Sequence, residues 1–201
     1  MRGRLEGQLG AVRWRVSLLF PALVTVLLLL QPDGLALPCV LASLIHEGGH
    51  LAAMLLLHCP PESCTVGAFG ARIVTDSRRP PGYRQQIMIS LAGPGINFLA
   101  AAGLWIAAGL GAVGCSRAAA VHILLGVFNM LPAGALDGGQ ALRCLLCLRG
   151  APDRADRVLR VLSAAVLLPV AVGSLYLVLS GSGNGTLLIV SIYLTVLVFS
   201  G

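Results

Sequence analysis

Two histidines and a glutamate stand in the middle of an apolar run: residues 45–51 read IHEGGHL, with VLASL before them and AAMLLL after. A charged side chain at the centre of a membrane span costs ~2.5–3.5 kcal/mol on insertion scales, so such residues are rare there and mark function. The spacing narrows what that function can be. Residues four apart project from one face of a helix, one turn from each other, so His46 and His50 can hold one metal ion between them. Glu47 lies beside them, able to polarise a water on that ion without being a ligand. HExxH on a helix is a zinc-hydrolase signature for this reason. A pair of neutral histidines hydrogen-bonded within a bundle would explain the imidazoles but not Glu47. Gly48 and Gly49 each weaken a helix by ~1 kcal/mol. Their compensation is either close approach of another backbone or space for a substrate over the metal.

Composition decides whether the run is a span. The 201 residues are 57% hydrophobic and 11% charged, with a mean hydropathy of +0.88. A soluble domain with so little polar surface would expose large apolar patches. Six hydrophobic segments can be drawn, over residues 16–30, 35–57, 86–113, 118–131, 158–179 and 186–199, each near the ~20 residues that cross a bilayer. The expected fold class is therefore an all-α polytopic membrane protein with about six transmembrane helices.

The fourteen basic residues are all arginine, and they cluster at the ends of the apolar runs rather than forming a stripe. That is the pattern of topology determinants, not of a nucleic-acid-binding face. With the N-terminus in the cytoplasm, Arg2, Arg4, Arg13 and Arg15 fall inside. So do the loop over 59–84, with Arg72, Arg78, Arg79 and Arg84, and the link carrying Arg143, Arg149, Arg154, Arg157 and Arg160. Arg117 alone falls outside. Both termini are expected to be cytoplasmic, and no feature asks for anything beyond a bacterial inner membrane. The chain reads as one membrane-embedded domain: an anchor over 1–34 with a basic leader, a core over 35–145 and a C-terminal helix pair over 146–201. No further domain is expected beyond the sixth segment. The stretch TVGAFGARIV in the 59–84 loop predicts a short β-hairpin over 65–74. Cys144 and Cys147 form a CxxC, read as two buried thiols on a helical apolar stretch; a metal or redox role would need a second pair of ligands.

A catalytic zinc site usually takes three protein ligands. FNMLPAGALDGGQ, residues 128–140, supplies a candidate third. Pro132 interrupts the fourth segment, and Gly134, Gly138 and Gly139 allow the backbone to unwind, which at membrane depth requires burial in protein or a watery cavity. Asp137 sits in that stretch, where it could reach a metal on the second segment. It could instead cap a helix starting at Gly138. Asn97 and Asn129 are amides in apolar helices, where interhelical hydrogen bonding accounts for either. His122, seven residues before Asn129, is either a neutral bundle-facing histidine or a ligand. Gly93, Gly95, Gly103 and Gly109 are expected to serve close helix packing, and Pro94 to kink its helix.

HEGGH followed by NMLPAGALDG, with AGPGINFLA (92–100) between them, resembles the paired signatures of the site-2 protease family of intramembrane zinc metalloproteases. GAFGARI (67–73) is similar to a loop found in some bacterial members. The resemblance spans about residues 35–145. It implies a three-helix metalloprotease core, Zn2+ held by His46, His50 and Asp137, and Glu47 as general base. It also implies that Asn97 and Asn129 hold substrate or orient the site. The six-segment plan resembles the sporulation branch, whose members cleave a membrane-tethered pro-sigma factor and often carry a C-terminal CBS domain that is not found here. The implied partners are a membrane-tethered protein substrate, the lipid bilayer and a regulatory membrane protein, with no nucleic acid. Two other functions stay open from the residues alone: a membrane metal- or ion-handling protein, and an inactive scaffold.

Overall fold

The computed structural model describes residues 4–9, 12–17, 34–67, 70–75, 80–134 and 136–181. They form strands β1 (Arg4–Leu9) and β2 (Val12–Ser17), helix α1 (Ala36–Leu56), strands β3 (Pro61–Gly67) and β4 (Gly70–Thr75), and then helices α2 (Tyr83–Gly109), α3 (Cys115–Asn129), α4 (Asp137–Leu148) and α5 (Pro152–Leu179). Among the described residues three helices, α1, α2 and α5, are long and apolar enough to cross a membrane, and α3 is a shorter apolar helix. The expected sixth span lies outside the described residues, as does the expected first beyond Ser17.

The strands form one four-stranded sheet in the order β1-β2-β3-β4. β1 and β2 pair antiparallel, as do β3 and β4, with a register shift between Pro61 and Ser63. β2 and β3 run parallel, which a tight turn cannot connect; the intervening chain includes α1. Residues 4–9 and 12–17 thus depart from the expected basic leader. Val12-Arg13-Trp14-Arg15-Val16 alternates apolar and charged residues, and this is the period-2 pattern of a strand.

The helices are turned inside out relative to a water-soluble bundle. On α1 the buried stripe Ala42, His46, His50 and Met54 repeats every four residues, while Leu37, Leu41, Leu44, Ile45, Leu55 and Leu56 face outward. The polar side chains buried among the described residues are His46, His50, Asn97, His122, Ser163 and Ser174. Apolar outside and polar inside is the arrangement a lipid solvent favours, and the chain is an integral membrane protein.

α2 is the centre of the bundle, packing against α1, α3 and α4. Gly49 lets α1 approach it: a Cβ there would meet Ala92 O at 2.8 Å and Ile96 Cγ2 at 2.6 Å. Gly48 faces open space. Of the four α2 glycines expected to pack closely, only Gly93 does so; Gly95, Gly103 and Gly109 have nothing within 4 Å.

Three helices end at a left-handed glycine, Gly111, Gly150 or Gly181, whereas α1 ends at His58, with φ 56°. Its turn is closed by His58 N–H to Leu55 O at 3.1 Å and Cys59 N–H to Met54 O at 2.8 Å. This is a Schellman motif with histidine where glycine is usual.

The described residues after α3, 130–134 and 136, are irregular, and α4 begins at Asp137. Gly138 and Gly139 therefore lie in the first turn of a helix rather than in unwound chain. A Cβ on either would strike the main chain of that stretch, at Met130 O and Ala133 O respectively. They are glycine because the loop folds back onto the helix it precedes. α5 backs the same loop: Ala133 and Leu136 pack with Leu167, and Gly134 N–H donates to Ser163 Oγ at 2.9 Å. Gln140 Nε2 donates to Gly134 O at 2.7 Å. Arg143 and Asp156 link α4 to α5 at 2.9 Å on the surface, where an ion pair is worth ~0–1 kcal/mol.

Candidate metal centre

α1 brings His46 and His50 to one face, with ring centroids 4.8 Å apart and planes at 82°. Their Nε2 atoms converge at 3.1 Å. Asp137, at the first residue of α4, completes a triangle: Oδ2 lies 2.9 Å from His46 Nε2 and 3.3 Å from His50 Nε2. Of the two roles weighed for Asp137, it is the reach to the histidines that is seen: the helix cap is Leu136, and no side chain caps that end. Its carboxylate also sits at the positive end of the α4 dipole, a favourable place for an anion.

Three electron-pair donors meet here. His50 Nδ1 is 2.7 Å from Ile89 O. A carbonyl oxygen can only accept, so Nδ1 carries the proton and the Nε2 lone pair faces the triangle. Asp137 Oδ2 is buried and has no hydrogen bond of proper geometry, a costly state unless a cation is shared. Ligand atoms ~2.0–2.1 Å from a tetrahedral zinc lie about 3.3 Å from one another. The observed 2.9, 3.1 and 3.3 Å match that spacing. The three residues can hold a metal ion, and they are the only such group among the described residues. Cys144 and Cys147 do not join one. Cys144 is buried with Sγ donating to Gln86 Oε1 at 3.1 Å, and both thiols are free.

The space around the donors is bounded by α2. Gly93 lies against both imidazoles, so that a Cβ there would collide with His50 Nε2 and come within 2.8 Å of His46 Nε2. Glu47 is half-buried on α1, and its charge is felt at His50. Asn97 is fully buried, with Nδ2 3.1 Å from His46 Nδ1 and Oδ1 3.0 Å from His122 Nδ1. His122 is therefore in contact with the site through Asn97, a link that spacing along α3 did not reveal. Asn129 ends α3 half-buried, its Nδ2 donating to Leu125 O at 3.0 Å in its own helix.

No protein-family model and no curated protein matches the sequence. Among solved structures, the Site-2 Protease from Methanocaldococcus jannaschii matches with a TM-score of 0.70 and 18% sequence identity, over 98% of this chain and 94% of that one. The fold is shared. At that identity it is the fold alone that the two proteins have in common.

Proposed function

We propose that this chain is an intramembrane zinc metalloprotease that hydrolyses a peptide bond in or near the transmembrane segment of a membrane-tethered protein. The observation that carries the reading is the convergence of His46 Nε2 and His50 Nε2, on an apolar helix, with Asp137 Oδ2 to within 2.9–3.3 Å. Sharing the fold of a protein named as a Site-2 protease supports it.

His46, His50 and Asp137 would hold the zinc. Zinc bound there supplies Lewis-acid polarisation of a carbonyl and lowers the pKa of a water towards ~7. Glu47 follows His46 directly on α1, and is the general base that accepts the proton of the attacking water and returns it to the leaving amine. The α4 N-terminus keeps Asp137 ionised and aimed. The open space beside Gly48 leaves room for an extended segment of substrate. β4 is an edge strand of the sheet, suited to add that segment as a further strand. Asn129, at the end of α3, would contact the substrate backbone.

The arginine distribution supports a six-span protein with both termini cytoplasmic, and a reporter fused into the 59–84 loop that reads outside would overturn that topology. A sigma or anti-sigma factor is the substrate class that the resemblance to the sporulation branch suggests.

The decisive experiment is Glu47→Gln. The ligands and helix remain, so zinc content is expected to equal the parent's, while loss of the base slows cleavage by roughly 10²–10⁴-fold. A metal-handling or scaffold role has no use for a proton acceptor beside the ion. A Glu47→Gln protein that holds its zinc and cleaves a membrane-tethered substrate at the parental rate would rule out the mechanism.

A further inference from the structure

Both histidine ligands must present the same ring nitrogen to the ion, and a neutral imidazole does so only if the other nitrogen keeps the proton. The Ile89 carbonyl enforces this at His50. At His46 the corresponding Nδ1 meets no carbonyl; it meets the amide of Asn97 at 3.1 Å. An amide has a donor end and an acceptor end, and heavy-atom positions alone do not distinguish them. If Asn97 turned its NH₂ to His46, Nδ1 would accept and the proton would sit on Nε2, pointing into the triangle. That tautomer cannot ligate.

We propose that Asn97 and His122 form a relay that fixes the ligating tautomer of His46, with the Asn97 Oδ1 end turned to His46 in the metal-bound protein. Oδ1 then accepts from His46 Nδ1–H, and the Nε2 lone pair is free for the ion. The other end of the amide, now NH₂, donates to His122 Nδ1, 3.0 Å away on α3. His122 carries its own proton on Nε2. Its Nδ1 is what holds the amide in the productive orientation, because a protonated Nδ1 there would demand the opposite one. The three side chains come from three helices, and their relative exposures are 6% for His46, 0% for Asn97 and 4% for His122, so water offers no substitute partner. Asn97 and His122 are positioning residues acting through His46, and the inference rests on the zinc reading above.

Two measurements on the full-length protein in detergent test this. The first is zinc affinity by chelator competition. Asn97→Leu and His122→Leu are expected to weaken binding about 10–100-fold, the usual cost of losing an outer partner of a histidine ligand. Asn97→Asp and His122→Asn, which keep an acceptor at the needed atom, are expected to stay near the parent. The second measurement needs no variant to fold: ring ¹⁵N shifts of the zinc-loaded parent should show His46 protonated at Nδ1 and His122 protonated at Nε2 only. A His122 carrying its proton on Nδ1, or an Asn97→Leu protein that binds zinc as tightly as the parent while His46→Ala does not, would overturn the relay and leave the metal site standing. A parent that binds no zinc would overturn both.

Discussion

A single methyl group at position 93 would enter the metal site. The Cβ of Gly93→Ala would press on His50 Nε2 and His46 Nε2, with the rigid backbone of α2 behind it. We expect the variant to insert and fold but to lose most of its zinc, measured as metal per chain. Gly95→Ala, two residues on and facing open space, should keep its zinc and gain up to ~1 kcal/mol of helix stability. Equal zinc in the two variants would mean that Gly93 does not lie against the donors. At this scale the sequence was informative about the donors themselves. His46 and His50 follow from a four-residue spacing, and Asp137 from being an acid in a Pro- and Gly-rich break. The partners of the donors were not legible. Whether Asn97 meets His46, and whether His122 meets Asn97, depends on the rotation of α2 and α3 about their axes, and no periodicity along one chain segment states that.

Elements are held by their ends as much as by their faces. His58 occupies the left-handed position closing α1, a conformation that costs a residue with a Cβ roughly 1–2 kcal/mol. Glycine would remove that strain but lose more entropy on folding, so His58→Gly should stabilise by somewhat under ~1 kcal/mol, read as a rise in unfolding temperature in detergent. His58→Val, β-branched at positive φ, should lower it. If the two variants unfold together, the turn is not under strain. Element boundaries also show where sequence reasoning stopped short. α4 is amphipathic and only 12 residues long, and Arg143 reads as part of a cytoplasmic link, so a helix starting at Gly138 was only one of two readings of the stretch that delivers Asp137. β1 and β2 were missed because Arg4, Arg13 and Arg15, preceding a long apolar run, carry a topology signal that outweighs the strand alternation between them. The apolar helices α1, α2 and α5 were legible because length and hydropathy suffice to define a span.

Across the whole molecule, the donor triangle joins α1 to α4, and α5 holds the loop before α4 through Ser163 and Leu167. A metal at that junction binds the folded bundle and not separated helices. At a free zinc concentration of 1,000 times its dissociation constant it contributes about 4 kcal/mol. Chelation should therefore lower the unfolding temperature, added zinc should restore it, and Asp137→Ala should respond to neither. An Asp137→Ala protein as sensitive to chelation as the parent would place the metal elsewhere. The junction also has a consequence in time. His46 and Asp137 are about 90 residues apart in the chain, and a ribosome adding ~5–20 residues per second needs several seconds to pass from one to the other. During that interval the rest of α1 and the whole of α2 are made, but the newborn protein has only two of the three residues of the triangle. A nascent chain thus cannot close the triangle among its half-inserted neighbours, and completing it is one of the later events of its own biogenesis.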